Sequence, residues 1–460
     1  MDTSVIFDSE LIRKYDQAGP RYTSYPTAVQ FHKGFGAADY QALALASNTS
    51  GKPLSLYLHI PFCDTVCFYC ACNKIVTKKR ARAAPYLQRL EREIALQGAL
   101  FDRSRPVTQL HWGGGTPTFI SAAEMRRLMA VTAEHFQLLS DDSGEYSIEI
   151  DPREADADTI ALLRELGFNR LSIGVQDFDP LVQQAVNRIQ SQEITLTALE
   201  AARRQGFKSI SIDLIYGLPW QTVDRFQRTL EAVIAAGPDR LAVFNYAHLP
   251  ELFKTQRQID ASALPAPAEK LAILQAVIER LSAAGYVYIG MDHFARPDDE
   301  LALAQQAGTL YRNFQGYSTH ADCDLVGLGV TAIGMVGDSY SQNRRTLEEY
   351  HACLDAGQLA VFRGVRLNAD DNLRREVIMR LICHFALDFA TIEAHHAVCF
   401  AGYFATELNE LAGMQADGLL KLSESGIQVQ PAGRLLIRNI CMVFDRYLRQ
   451  QTARRFSRVI

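Results

Sequence analysis

The sequence predicts an α/β protein whose core is an open or partial barrel of six parallel strands. Three observations carry that prediction. Between about residues 54 and 248, short β-rich runs alternate with amphipathic helical stretches, the rhythm of βαβ units and a parallel sheet. The helical stretches end at Gly167, Gly206, Gly237 and Gly285, as suits a C′ residue in the left-handed conformation before the chain turns back. Three consecutive strands carry one strictly polar face, which a filled, closed barrel does not have.

The six strands are SLYLHI (55–60), TQLHW (108–112), YSIEID (146–151), RLSIGVQ (170–176), SISIDLI (209–215) and LAVFNY (241–246). A helix after the second opens on a capping box, Ser121 with Glu124 three residues on. In the third strand Ser147, Glu149 and Asp151 share a face; in the fourth Arg170, Ser172, Gly174 and Gln176; in the fifth Ser209, Ser211 and Asp213. The opposite faces are Ile, Leu and Val. Parallel sheets rarely leave a face bare, so helices are expected outside and a polar cavity inside.

Past about residue 285 the rhythm weakens into loops and short elements. From about 366 a separate block opens with the helical DDNLRREVIMRLICHF and closes with a hairpin, LLKLSESGIQV, and a helix, GRLLIRNICMVFDRYLR. Hairpin plus helices resembles a winged-helix accessory domain. Its mixed charges favour a cover over the catalytic cavity rather than a DNA reader. The expected division is an N-terminal extension covering the active site (1–50), a catalytic domain (51–365) and a mostly helical C-terminal domain (366–460).

The 460 residues amount to two or three structural units. A net charge of −5 from 47 basic and 52 acidic residues excludes a nucleic-acid or membrane-surface binder that works by bulk charge. The N-terminal MDTSVIFDSELIRKYDQ has no apolar core of signal-peptide length, and no run approaches 18 uncharged apolar residues. The expected setting is the cytoplasm, with no membrane span. Of nine cysteines, Cys63, Cys67, Cys70 and Cys72 fall within ten residues and five are scattered. In a reducing compartment clustering points to metal and scatter to small buried hydrophobes.

The segment YLHIPFCDTVCFYCACNK (57–74) lies just after the first strand. Its Cys63-x3-Cys67-x2-Cys70 places three thiols on one loop at the carboxyl end of a strand, where α/β active sites sit. Three soft thiolates favour an iron–sulfur cluster, with one iron of a four-iron cubane left open for a chelating ligand. A zinc site with Cys72 as fourth ligand is the alternative, but zinc signatures usually join two separated ligand pairs and no second pair is evident.

This motif resembles the radical S-adenosylmethionine superfamily. With HIPFC before it and Cys72-Asn73 after it, the segment is similar to the oxygen-independent coproporphyrinogen III oxidases. The likeness runs through RYTSYPT (21–27), HWGGGTPT (111–118), SIEIDPRE (147–154), LSIGVQDFD (171–179), IDLIYGLPWQT (212–222), VFNYAHLP (243–250), NFQGYSTH (313–320), GRLLIRNICM and FSRVI. It implies a partial (β/α)6 barrel of radical S-adenosylmethionine type with an N-terminal extension and a helical C-terminal domain. It also implies a [4Fe–4S] cluster on Cys63, Cys67 and Cys70, its open iron chelated by S-adenosylmethionine. Reductive cleavage would yield a 5′-deoxyadenosyl radical that takes a hydrogen from a propionate of coproporphyrinogen III. Loss of CO2 and one electron then leaves a vinyl group, twice over, giving protoporphyrinogen IX.

Family matching places Tyr57, Gly114, Glu149 and Ile333 at the cluster-bound S-adenosylmethionine. It places Gly115, Thr116, Gln176, Arg188, Asp213 and Ala247 at a second molecule of it. Read alone, Gly113–Gly115 is either a ligand cradle or a tight turn, and Glu149 and Asp213 are either ligand acceptors or structural partners of Arg170 or Arg188. Tyr69 stands where the family has phenylalanine and is expected to stack on adenine with a hydroxyl added beside the cluster. A fourth thiolate would close the open iron, so Cys72 is expected not to ligate. Cys72, Tyr57 and His59 are the candidates for the reaction itself, His59 from the inward face of the first strand.

His111, His248, His293 and His320 are expected to satisfy loop backbone, and the Met and aromatic residues of the C-terminal helices to be core. Arg21 and Lys74 are candidates for the substrate's four carboxylates. The expected electron donor is a flavodoxin-type or small iron–sulfur protein, and the expected state a monomer. Two other readings stay open: a haem-binding or trafficking relative, which generally lacks the Cys-x-Cys-Asn ending and the RYTSYPT element, and a radical methyltransferase acting on a tetrapyrrole.

Overall fold

The computed structural model describes residues 4–450; FSRVI (456–460) lies outside them. The chain forms two compact units: Gln30–Pro265 with Asp322–Arg366, and Met1–Val29 with Ala266–Ala321 and Leu367–Ile460.

The first unit holds the predicted strands, here β1 (Leu54–Ile60), β2 (Pro106–Gly114), β3 (Glu145–Ile150), β4 (Arg170–Gln176), β5 (Ser209–Tyr216) and β6 (Arg240–Asn245). Each pairs in parallel with the next. Leu54, Leu56, Leu58 and Ile60 are buried, as are Ile148, Ile173 and Ile212 on the apolar faces of later strands. Ser147, Glu149, Ser172, Gly174, Ser211 and Asp213 on the polar faces are half-buried. Alternation therefore sorts the sheet into an apolar face and a polar one, as expected. Gly237 caps its helix in the left-handed conformation, at φ 61°, and the Ser121–Glu124 capping box is formed.

The sheet also carries a parallel strand that the βα rhythm does not announce. β7 (Asp324–Leu328) pairs on the free side of β1, and an antiparallel meander of β8 (Ile333–Met335), β9 (Ser339–Asn343) and β10 (Val361–Arg366) extends the sheet. A buried ion pair, Arg105 to Asp324 at 2.5 Å, joins the segment entering β2 to the start of β7. The loop after β7 is held by the fully buried Glu93, which accepts from the Gly329 N–H (2.6 Å), the Asn343 amide (2.6 Å) and the Tyr350 hydroxyl (2.7 Å). Burial pushes the Glu93 carboxyl up to about 7.

In the second unit, helix Ala369–His384 and the hairpin Leu420–Leu422/Gly426–Val429 form as expected, with Ala386–Asp388 as a third strand. The long helix expected over 433–449 is broken. Gly433–Leu436 is turn, Ile437–Val443 is helical, and the Asp445 carboxylate accepts from the Tyr447 and Leu448 N–H groups, starting a separate short helix at Arg446. A mid-pattern aspartate capped a new helix instead of continuing the old one.

Candidate active site

β1 ends at Ile60 and delivers the chain to the three-thiol loop. Phe62–Cys63 pairs in parallel with Ile75–Val76, the Ile75 N–H reaches the Pro61 carbonyl at 2.7 Å, and the Thr77 N–H reaches that of Cys63 at 2.9 Å. The loop thus closes on itself around Cys67 and Cys70. Its own polar backbone cannot be satisfied by a ladder, so side chains do it: Asn187 on the Val66 carbonyl (2.7 Å), Gln256 on that of Tyr69 (3.0 Å), and Thr255 and Lys74 on that of Cys70 (3.1 and 2.9 Å).

The sulfurs face hydrogen-bond donors. The Thr116 hydroxyl lies 3.7 Å from Cys63 Sγ, and Arg188 Nη1 and Arg153 Nη2 lie 3.6 and 3.9 Å from Cys67 Sγ. Burial pushes the Cys63 thiol up to about 11. A hydrogen bond from Cys72, reinforced by Lys74, holds Cys70 down at about 6. Cys72 itself is exposed. Three thiols on one loop, ringed by guanidinium and hydroxyl donors, suit an anionic iron–sulfur group, whose charge those donors would offset.

Arg188 is buried and forked. Nη1 also meets Asp151 at 2.9 Å and Nη2 the Gly174 carbonyl at 2.5 Å, while Nε is buried without a protein partner. Burial opposes ionisation of Asp151, but Arg188 and Arg153 more than offset it and hold the carboxyl below its ordinary value. Arg188 thus pairs with Asp151, not with Glu149 or Asp213. Next to it Gln176 takes φ 69°, a conformation rare outside glycine. A Cβ on Gly174 would lie 3.0 Å from the Gln176 amide and 3.1 Å from Arg188, so the glycine makes room for both. Asp213 accepts from the Ser172 hydroxyl at 2.9 Å, and burial raises its carboxyl to about 7.

A second group converges from β1, β2 and β3. The Tyr57 hydroxyl lies 3.0 Å from His59 Nδ1, and His59 Nε2 lies 3.1 Å from the Asn73 carbonyl. Tyr57 stacks on His111 with ring centres 5.8 Å apart. His111 bonds Ser147 through Nδ1 (2.6 Å) and Glu149 through Nε2 (3.3 Å), and Glu149 also accepts from the Gly114 N–H at 3.0 Å. Burial opposes the Glu149 charge, yet His111 and the Gly114 N–H keep its carboxyl below the ordinary value. The glycine run makes this approach possible. A Cβ would come within 2.9 Å of Glu149 at position 113, 2.6 Å of the His59 ring at 114 and 2.6 Å of the Phe62 carbonyl at 115.

Ile333 lies opposite Gly327, which in turn lies opposite Tyr57. The Ala247 carbonyl accepts from Gln256 at 3.3 Å, the same amide that holds Tyr69. Tyr69 packs on Val182, Val186, Leu218, Tyr246 and Ile259. His111 is a correction: it serves Glu149 and Tyr57, not loop backbone. The alternation Gln109, His111 against Leu110, Trp112 was the signal that could have found it. Asn73 and Arg153 enter the sequence analysis only as members of the Cys72-Asn73 ending and of SIEIDPRE, without a role, and Gln256 not at all; Gln256 carries no sequence signal, being a loop residue that acts through backbone carbonyls. Arg21 meets Asp292 at 2.6 Å.

Comparison with known proteins gives matches to the Radical SAM superfamily over residues 57–233 and to the HemN C-terminal domain over 367–436. The chain is 58% identical over 460 residues to the oxygen-independent coproporphyrinogen III oxidase of Pseudomonas aeruginosa, covering 100% of both. It is 53% identical over 455 residues to that of Escherichia coli, covering 99% of this chain and 98% of the relative. The solved structure of the Escherichia coli coproporphyrinogen III oxidase HemN, described as a radical SAM enzyme, is similar at a TM-score of 0.92 with 51% identity, over 96% of this chain and 100% of that one.

Proposed function

The chain belongs to the oxygen-independent coproporphyrinogen III oxidase family of radical S-adenosylmethionine enzymes, and from that membership we propose how its residues divide the work. The enzyme oxidatively decarboxylates two propionates of coproporphyrinogen III to vinyl groups without oxygen, giving protoporphyrinogen IX for haem biosynthesis. The full-length likeness to these oxidases carries this conclusion. Bound to the protein, a [4Fe–4S] cluster and S-adenosylmethionine supply the one-electron cleavage that starts the reaction.

Cys63, Cys67 and Cys70 are the residues we assign to the cluster, and Thr116, Arg188 and Arg153 the donors that temper its charge. Tyr57, Gly114, Glu149 and Ile333 hold the cluster-bound S-adenosylmethionine. Glu149, kept ionised by His111, is suited to accept from an ammonium or hydroxyl group. Tyr69 borders the adenine. Gly115, Thr116, Gln176, Arg188, Asp213 and Ala247 hold a second molecule; the buried Arg188 Nε without a protein acceptor and the unusual backbone at Gln176 support a ligand there. His59 is held neutral: burial depresses its pKa. It orients the reacting group together with Tyr57, and Cys72 stays off the metal.

We divide the chain into an N-terminal extension (1–50), a catalytic domain (51–365) and an accessory domain (366–460); the separate matches over 57–233 and 367–436 support the last two. The electron arrives from a flavodoxin-type carrier. Exposed Lys78, Lys79 and Arg82 follow directly on Thr77, the residue bonded to the Cys63 carbonyl, and offer it an anion-attracting edge. We take the enzyme to act as a monomer in the cytoplasm. Among the described residues no helix is long and apolar enough to cross a membrane.

The test is anaerobic incubation of the reconstituted protein with S-adenosylmethionine, dithionite and coproporphyrinogen III, with chromatography of nucleoside and porphyrin products. Protoporphyrinogen formed together with 5′-deoxyadenosine is expected. Cofactor cleavage with the tetrapyrrole unchanged, or methylated, would overturn the assignment in favour of a haem-handling protein or a methyltransferase.

A further inference from the structure

The substrate carries four carboxylates, and the two cations expected to meet them are engaged elsewhere: Arg21 on Asp292 and Lys74 on the Cys70 carbonyl. A different set of cations stands without anions. One register row crosses the sheet from the site. Tyr57 lies opposite Gly327, and the Leu325–Met335 pairing sets Ile333 opposite Gly327, so close that a Cβ there would lie 2.7 Å from the Ile333 backbone. Ile333 lies opposite Gln342, and Gln342 opposite Arg363. Residues directly opposite across neighbouring strands present side chains to the same face. Arg363 therefore shares the face of Tyr57 and stands two strands beyond Ile333, about 10 Å at ~4.8 Å per strand.

Arg363 is oriented but unspent. Its Nε donates to the Gln342 side chain at 2.7 Å, and Gln342 in turn donates to the Thr331 carbonyl at 3.2 Å. Its outer guanidinium edge has no protein acceptor among the described residues. Arg344 leaves β9 at the same end of the sheet, its Nε buried without a partner. Arg344 and Arg363 each lie 5.6 Å from the centre of the Phe362 ring, and Arg363 lies 5.9 Å from that of Phe31. Arg345 is exposed, and its carbonyl receives the Asn73 amide at 3.4 Å, which ties this corner to the cysteine loop.

Among the described residues none of the three arginines has a carboxylate partner. Of the acids just beyond them, Glu349 is bonded to Thr346 at the start of helix Leu347–Asp355, and Glu348 is exposed. Burial and the charge of Arg345 both depress Arg363 below its ordinary pKa. Like charges gathered on aromatic rings without an anion gain most when a planar carboxylate arrives.

We propose that Arg363, with Arg344 and Arg345, forms a carboxylate subsite that binds propionate groups of the tetrapyrrole while another propionate is presented at Tyr57 and Ile333. This rests on the oxidase reading. The subsite orients the macrocycle and contributes to discrimination against tetrapyrroles whose propionates are already converted or blocked.

The experiment is fluorescence titration of the holoenzyme with coproporphyrin III and with its tetramethyl ester, for wild type, Arg363→Gln and the pair Arg344→Gln/Arg345→Gln. Thermal unfolding and S-adenosylmethionine affinity are measured alongside to confirm the fold. Loss of a charge-assisted carboxylate contact is expected to weaken coproporphyrin III binding about 10–100-fold, with little effect on the ester. Arg363→Lys should recover part of the loss. Unchanged coproporphyrin binding overturns the proposal, and so does an equal loss for acid and ester, which would mark a purely structural role. Weaker binding of a reduced flavodoxin with porphyrin binding intact would assign these cations to a protein carrier and also overturn it. Wild-type conversion of coproporphyrinogen III tests the underlying reading separately.

Discussion

The Tyr57 hydroxyl donates to Nδ1 of His59 across 3.0 Å. This direction follows from the other ring nitrogen. Nε2 faces the Asn73 carbonyl at 3.1 Å, and a carbonyl can only accept, so Nε2 carries the hydrogen and Nδ1 is the acceptor. The neutral ring satisfies both partners.

A buried neutral histidine makes stability depend on pH. Burial lowers the His59 pKa below its ordinary 6.5, so the unfolded chain takes up the proton first as the solution is acidified. The contribution is fully present above pH 6.5 and is lost as pH falls through the folded value. His59→Gln should therefore flatten the acid side of the thermal-unfolding profile as pH falls below 6.5. A wild-type and variant pair with parallel profiles there would show that His59 is not held neutral.

The cysteines separate by role. Cys63→Ala, Cys67→Ala and Cys70→Ala should each abolish cluster assembly, read as iron and sulfide content and visible absorption, together with activity. Cys72→Ala should leave the absorption intact, because Cys72 is exposed and meets the site through Cys70 rather than through a position of its own in the donor set. Loss of the cluster in Cys72→Ala would mean that the fourth position is not open.

Arg188 couples the cysteine loop to the barrel. Its Nη1 reaches both Cys67 Sγ and Asp151, at 3.6 and 2.9 Å. Donors to a ligating sulfur favour the reduced, more negative cluster. Arg188→Gln should shift the midpoint potential negative by about 65–130 mV, the equivalent of one charge-assisted hydrogen bond of about 1.5–3 kcal/mol for one electron. Redox titration followed by electron paramagnetic resonance reads this, and an unchanged potential would reduce Arg188 to packing.

Much of this was legible before the fold. Alternation in β3, β4 and β5 placed Glu149, Ser172 and Asp213 on one polar face, and the cysteine spacing placed three thiols on one loop. β7 escaped because DLVGL is short and its helical partner is not adjacent in sequence, so no βα rhythm announces it. Without β7 the row from Tyr57 to Arg363 cannot be drawn, since register between distant segments is a property of pairing and not of either sequence. His111 departs from its expected role for another reason. Its strand alternates as plainly as the others, but its role depends on which carboxylate the next strand brings opposite it. The break at Asp445 shows a third limit: periodicity ran through a residue whose side chain preferred the backbone N–H groups two and three positions on.

Asp213 gives the last prediction. Burial raises its carboxyl to about 7, and the Glu149 charge adds to the shift while the Ser172 hydroxyl opposes it. An acid whose folded pKa lies above its unfolded value favours the folded state fully below the unfolded value near 4. That contribution is lost as pH rises to about 7. Asp213→Asn keeps an oxygen for the Ser172 hydroxyl at 2.9 Å and removes the titration. The difference in unfolding temperature, variant minus wild type, should therefore grow from pH 4 to pH 7 and then level. In the holoenzyme the same variant should blunt any activity limb near pH 7, because the proton on Asp213 decides whether the group donates or accepts toward what binds beside Arg188. A temperature difference that stays constant across the range would place the ionised form in the folded protein at all these pH values and remove Asp213 as a titrating partner of the site.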